Sequence, residues 1–206
     1  MSRNHRAAKR LRVAQEAANM LYTRQEREYR QAKLRAVETL GFHVLPSNAE
    51  IAAELDRIAE EREGAERRER LTQKRSEALQ MMQALNRFSP VLVGSVWRGT
   101  ARHGSDIDII VYAKDPQQPL STLQGNEYSV IKSEVQRVTK RGREEHSFHV
   151  HVRLPSGDEA EIVVRGLDEV SRKSMCEIYG DVVTGLTIKQ LQRVLEENPA
   201  KRFLPA

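Results

Sequence analysis

The sequence predicts an α+β protein: a small mixed β-sheet domain, residues 87–166, after a helical region, 1–86, and before a short helical tail, 167–206. Three observations carry this. Apolar residues recur at three- and four-residue steps through the first eighty or so positions. Short β-branched apolar runs bounded by turn residues begin only after Ser89-Pro90. Helical spacing returns near the C-terminus at Leu186, Leu191, Val194 and Leu195, and Asn198-Pro199 stops it.

From Arg6 to Leu40 there is no Gly or Pro, and Leu11, Ala14, Ala18, Leu21, Ala32, Ala36 and Leu40 share a helical stripe. One long amphipathic helix, or two with a joint near Tyr22-Thr23, fits this pattern, and Gly41 ends it. Ser47 and Glu50 match a capping box, opening a second helix along Ile51, Leu55 and Ile58. Glu60 to Arg75 is almost wholly polar, which predicts either a solvated helix or a joint at Gly64. Apolar spacing resumes at Leu71, Ala78, Met82 and Leu85.

Val91-Leu92-Val93 and Ile107 to Tyr112 read as buried strands. The steps Tyr128, Ile131, Val135 and Val138, closed by Gly142, predict a helix. Phe148, Val150 and Val152 alternate with His149, His151 and Arg153. A turn at Pro155-Ser156-Gly157-Asp158 returns the chain through Ala160 to Val164, giving a hairpin.

Charged residues make up 31% and aromatics 5% of the chain, so a modest core under charged helices is expected. Lys and Arg outnumber Asp and Glu by 34 to 29, with pI near 9.5, a balance that favours polyanionic partners. Residues 1–35 hold ten Lys/Arg against Glu16, Glu26 and Glu28. That segment reads as a phosphate-contacting arm or as a solvated helix face. Cys176 is the only cysteine, which excludes an intrachain disulfide and a cysteine metal cluster. No apolar run reaches membrane-spanning length, and no apolar stretch follows the basic N-terminus, so a cytoplasmic protein is expected.

The chemistry concentrates in Val91-Leu92-Val93-Gly94-Ser95 and Asp106-Ile107-Asp108-Ile109-Ile110-Val111. Strand residues two apart face the same way, so Asp106 and Asp108 project together while Ile107 and Ile109 enter the core. Neighbouring carboxylates repel, and a hard divalent cation, Mg²⁺ or Mn²⁺, is the natural occupant between them. Gly94-Ser95 stands where a strand gives way to a short helix, and its exposed N–H groups suit phosphate. Ser95 adds a hydroxyl, and Arg98 a guanidinium one turn on. Together these describe a site for a metal-bound nucleoside triphosphate. The plain alternative is an acidic strand end of structural use only.

Gly94-Ser95-Val96-Trp97-Arg98-Gly99-Thr100 followed by Ser105-Asp106-Ile107-Asp108 resembles the DNA polymerase β-like nucleotidyltransferase superfamily, close to its small archaeal and bacterial members. The resemblance is strongest over 88–113 and extends to about 166. It implies a third carboxylate, which falls on Glu161, with Glu159 the runner-up on the same face. Asp is the usual residue there, so Glu161 is a departure. It further implies a two-metal mechanism, with Asp106, Asp108 and Glu161 as ligands and Gly94, Ser95 and Arg98 on the triphosphate (ATP or another NTP). The expected reaction moves an NMP from an NTP to an acceptor hydroxyl and releases pyrophosphate. RNA, tRNA included, is the favoured acceptor, bound through the basic N-terminal helix. Nucleotidylation of a small molecule or protein, as in antibiotic-modifying or toxin–antitoxin relatives, is the alternative enzyme class. A non-catalytic RNA-binding module is the alternative outside enzymes.

Lesser candidates have plainer readings. His149 and His151 are expected as partly exposed strand histidines and His103 as a loop residue. Trp97 is expected to anchor the short helix rather than stack on a base. Lys140, Arg141 and Arg143 either complement a helix end or contact an acceptor phosphate.

Overall fold

The N-terminal periodicity resolves into two helices, α1 (Arg3–Tyr22) and α2 (Tyr29–Leu40), joined near the expected place. The computed structural model describes residues 3–140 and 143–205, and the side chains of all of these except Arg3 and 137–146. The buried stripe of α1 runs through Val13, Ala14, Ala17, Ala18 and Leu21, whereas Leu11 is exposed. These alanines, with Ala32 and Ala36 of α2, let the helices approach closely over Ile51 and Ile58. Helix α3 (Asn48–Ala84) opens on the predicted cap, where Ser47 N–H donates to Glu50 Oε2 at 2.7 Å and Glu50 N–H to Ser47 Oγ at 3.1 Å. It is kinked at Gly64, whose φ of 52° and ψ of −129° no helix continues through; the joint alternative is the one realised.

By compactness the chain divides into residues 1–67 with 175–181, and residues 68–174 with 182–206. In the first unit Arg67, buried within the polar stretch, donates to Asp56 Oδ1 at 2.6 Å and Glu60 Oε2 at 3.0 Å.

The second unit is built on a six-stranded mixed sheet ordered β3-β4-β5-β2-β1-β6, so the protein is α+β. Its elements are β1 (Val91–Val93), α4 (Gly94–Arg98), β2 (Ile107–Tyr112), α5 (Gln117–Gly125), β3 (Ser129–Lys140), β4 (Arg143–Arg153), β5 (Glu159–Arg165), β6 (Leu186–Thr187) and α6 (Ile188–Glu197). Among the described residues only β2 and β5 pair in parallel; the other pairs are antiparallel. One face of the sheet carries Leu92, Ile107, Ile109, Val111, Val150, Val152, Ile162 and Val164 into a core with Met81, Met82 and Leu85 of α3 and Leu191 of α6. Among the described residues no helix is long and apolar enough to cross a membrane.

Residues 128–138 are a correction. From Ser129 onward they form strand β3, not a helix, paired along β4 with an irregularity between Val130 and Lys132. The four-residue stripe was misleading because Ile131 and Val135 are exposed, while Tyr128 and Val130, two apart, pack on the core. The β-branched density of the segment decided its fate. Arg141 and Gly142, and the side chains of Lys140 and Arg143, lie outside the described residues, and with them the predicted basic cluster and helix stop. Leu186, expected in the last helix, instead ends the sheet in β6.

Within the second unit, two buried cations join the part of α3 after residue 67 to the rest of that unit. Lys74, fully buried, meets Asp158 Oδ2 of the β4–β5 turn at 2.7 Å. Removing one partner leaves the other charge stranded. Asp158→Ala is expected to cost about 2 kcal/mol, discounted for the partial exposure of Asp158, and Lys74→Met much less. Urea unfolding of the two variants checks this, and equal costs would contradict it. Arg75, also fully buried, donates to Val96 O (3.1 Å) and Trp97 O (2.9 Å) of α4 and to Pro199 O (2.5 Å) and Lys201 O (2.8 Å) of the tail.

Candidate functional site

Strand pairing assembles the site. Val93 is opposite Asp108 across β1–β2, and Asp108 is level with Glu161 across β2–β5. Residues level in a sheet project to the same side, so Asp108 and Glu161 stand side by side on the face away from the core. Asp106, just before β2, is exposed. Glu159 points into solvent and pairs with Arg153 at 3.0 Å, so Glu161 is the acidic residue that β5 brings level with Asp108.

Gly94 has φ +69°, and a Cβ there would collide with the Asp108 carboxylate. Glycine is therefore required twice over, for its backbone and for the carboxylate that rests against it. Gly94→Ala is expected to cost about 2 kcal/mol through the left-handed backbone alone and to push Asp108 aside. Urea titration measures the first effect; loss of divalent-ion stabilisation measures the second.

Asp108 accepts no hydrogen bond and forms no ion pair among the described residues. Burial, then the neighbouring charges of Glu161 and Asp106, push its carboxyl up to about 7. Glu161 is held the other way. His149 Nδ1 lies 2.6 Å from its Oε1, and this hydrogen bond lowers the Glu161 pKa against the opposing effect of burial. An ionised carboxylate can only accept, so His149 Nδ1–H donates, and its Nε2 meets Ser147 Oγ at 2.7 Å. His151 Nε2 stands 3.8 Å from both Glu134 Oε1 and Glu161 Oε1.

His149 thus departs from the sequence expectation, being 9% exposed and bonded to Glu161. Counting back from the Pro155–Asp158 turn would have placed His149 and His151 beside Glu161, since β4 pairs His151 with Glu161 and His149 with Val163. Arg98 departs more sharply. It is buried, donates from Nη1 to Phe203 O at 3.0 Å and stacks on the Trp97 ring at 4.1 Å, so part of its guanidinium serves the tail. Trp97 is buried as the anchor it was expected to be. Ser95 Oγ has no partner among the described residues. His103 is an exposed loop residue.

Among the described residues no group of three His, Cys, Asp or Glu side chains is arranged to close on one metal ion. The donor chemistry at Asp106 and Asp108 nevertheless fits a hard divalent cation: two carboxylates, one of them unpartnered and hard to ionise alone. Glu161 has one oxygen committed to His149 and keeps Oε2.

Residues 74–163 match the family model described as a domain of unknown function, DUF4269. No curated protein matches the chain. Solved structures similar to it include a cytoplasmic RNA terminal U-transferase, at 20% identity and TM-score 0.34 over 47% of this chain and 29% of that one. The Cid1 poly(U) polymerase aligns at 19% identity and TM-score 0.34 over 47% and 31%. The GLD-2/RNP-8 complex aligns at 16% identity and TM-score 0.35 over 60% and 39%. The chain aligns with only about a third of the length of each of these structures.

Proposed function

We propose that the protein is a metal-dependent nucleotidyltransferase that moves a nucleoside monophosphate from an NTP to an RNA hydroxyl. One observation carries the reading: a carboxylate without a partner, Asp108, is held against Gly94 and between two further carboxylates, Asp106 and Glu161. Three acidic groups gathered on an open sheet face cost stability unless a cation joins them.

In this reading Asp106 and Asp108 hold Mg²⁺ or Mn²⁺, and Glu161 contributes Oε2 from β5. Bound divalent ions supply a more acidic acceptor hydroxyl and neutralise the charge of the leaving group. The Gly94 backbone and the free Ser95 hydroxyl take the triphosphate. Arg98 steadies α4 through Phe203 O, behind the Gly94-Ser95 turn. His149 fixes the orientation of Glu161. The acceptor oxygen bonds to the α-phosphorus, the bond to the β-phosphate breaks, and pyrophosphate leaves while the hydroxyl proton passes to solvent. Exposed Arg6, Arg10 and Arg12 of α1 contribute phosphate contacts to the acceptor.

The test is incubation with each α-labelled NTP, Mg²⁺ or Mn²⁺, and total RNA, beside Asp106→Ala/Asp108→Ala. Label entering RNA only with the intact chain supports the reading. Equal label from both proteins, or none with any NTP, would overturn it. Label entering protein or a small molecule instead would move the acceptor to that class.

A further inference from the structure

The face that carries Asp108 and Glu161 continues beyond them. Along β2 and β5 the next residues on that side are Ile110 beside Val163, then Tyr112 beside Arg165. Over this stretch opens a cleft of about 720 Å³, floored by Val91, Val93, Ile110 and Tyr112 and walled by residues 170–174, 182–184 and 187–189. Arg165, Arg172, Lys173 and Lys189 line it, and no Asp or Glu does. Lys173 and Lys189 are exposed, and neither has a hydrogen bond or ion pair among the described residues; the Tyr112 hydroxyl has none either.

Arg172 is paired with Glu169 at 4.0 Å and Arg165 donates to Ser174 Oγ at 3.1 Å, so Lys173 and Lys189 are the two cations that chiefly create a field concentrating anions. The apolar floor with Tyr112 adds a surface on which a flat, uncharged group can lie. A nucleoside alone matches the floor but leaves Lys173 and Lys189 unanswered, and in the reading proposed the phosphates of an NTP lie at Gly94 and Ser95. A phosphodiester chain answers both, placing phosphates against the cations and bases over the floor. We propose that this cleft binds the acceptor, as the last nucleotides of a single-stranded RNA whose terminal hydroxyl is presented to Asp106 and Asp108. The assignment rests on the nucleotidyl-transfer reading for its direction, since that reading puts the strand end at the carboxylates.

The experiment uses the full chain without NTP and a short fluorescent oligoribonucleotide, followed by anisotropy over a range of NaCl. Lys173→Glu/Lys189→Glu is compared with wild type, and Lys173→Gln/Lys189→Gln removes the charges without reversing them. Both lysines are exposed, so unchanged melting temperatures are expected. Losing two phosphate contacts should weaken binding about tenfold and flatten the slope of log K against log salt by about 1.4 in the Gln pair. Stabilisation by Mg²⁺ with NTP should be unchanged. Unaltered RNA affinity and slope in both variants would overturn the proposal. So would loss of the NTP stabilisation with RNA binding intact, which would give the cleft to the nucleoside. Failure of the nucleotidyl-transfer reading shows separately, as absence of label in RNA from the wild-type chain, whatever the anisotropy reads.

Discussion

Asp108→Asn is expected to stabilise the metal-free protein at pH 8 while removing the nucleotidyl transfer proposed for it. Burial and two neighbouring carboxylates raise the Asp108 pKa from 3.8 to about 7 in the folded chain. Between those values the folded protein holds a proton that the unfolded chain has released. Stability therefore falls as pH climbs from about 4 to about 7, and the deficit persists above that. At roughly 1.4 kcal/mol per pKa unit the ceiling is a few kcal/mol, and relaxation of the site brings the expected gain from Asn to about 1–3 kcal/mol at pH 8. At pH 4 the gain should vanish. Urea unfolding in EDTA at the two pH values measures it; an equal effect at both, or a loss at pH 8, would contradict the electrostatic account. Added Mg²⁺ should stabilise wild type at pH 8 and leave the variant unchanged, because only a site that binds the ion gains by mass action. Transfer should drop by about a thousandfold, on the scale of losing a group that stabilises developing charge.

Arg75→Ala is expected to be the most damaging change distant from the carboxylates. The guanidinium is fully buried, its pKa lowered by burial to about 10, so it stays a cation at pH 8. Its fork joins four carbonyls, two in α4 and two in the tail. Alanine strands all four, and the expected loss is about 3–5 kcal/mol. Arg75→Lys keeps the charge but not the planar fork, and should recover less than half of the loss. Chemical denaturation checks both, and a cost under about 0.5 kcal/mol for alanine would contradict the assignment. Because Val96 and Trp97 directly follow Gly94-Ser95, a folded Arg75→Lys protein should also lose affinity for NTP more than for divalent ion. Calorimetric titration of each ligand separates these.

Local pattern made the centre of the candidate site legible. Gly94-Ser95 at a strand end and Asp106-x-Asp108 on a strand follow from alternation and turn chemistry, both properties of a few adjacent residues. The side chains that support them were not legible, because their partners are remote in sequence. Arg75 sits in a run that reads as a solvated helix face, and it is buried only because carbonyls at 96–97 and 199–201 converge on it. Arg98 looked available one turn after Gly94, yet Phe203 O takes its guanidinium. His149 needed the hairpin register before its contact with Glu161 could be seen. Strand β3 was missed for a different reason: with Ile131 and Val135 exposed, an accidental four-residue spacing outweighed the alternation of Tyr128 and Val130.

The single parallel pairing, β2 with β5, also dictates an order of events during folding. Antiparallel neighbours can meet through a short turn, but parallel ones require the chain to travel away and return. Here the excursion is the whole of residues 113–158, including α5 and the β3–β4 hairpin. Gly94, Asp106 and Asp108 gather through the local β1–β2 contact, whereas Glu161 arrives only after that long loop closes. Such non-local contacts form slowly. A chain still emerging from the ribosome therefore carries an incomplete carboxylate set until β5 docks, and the tail held by Arg75 follows later still. The carboxylate cluster is completed at the end of folding rather than along the way.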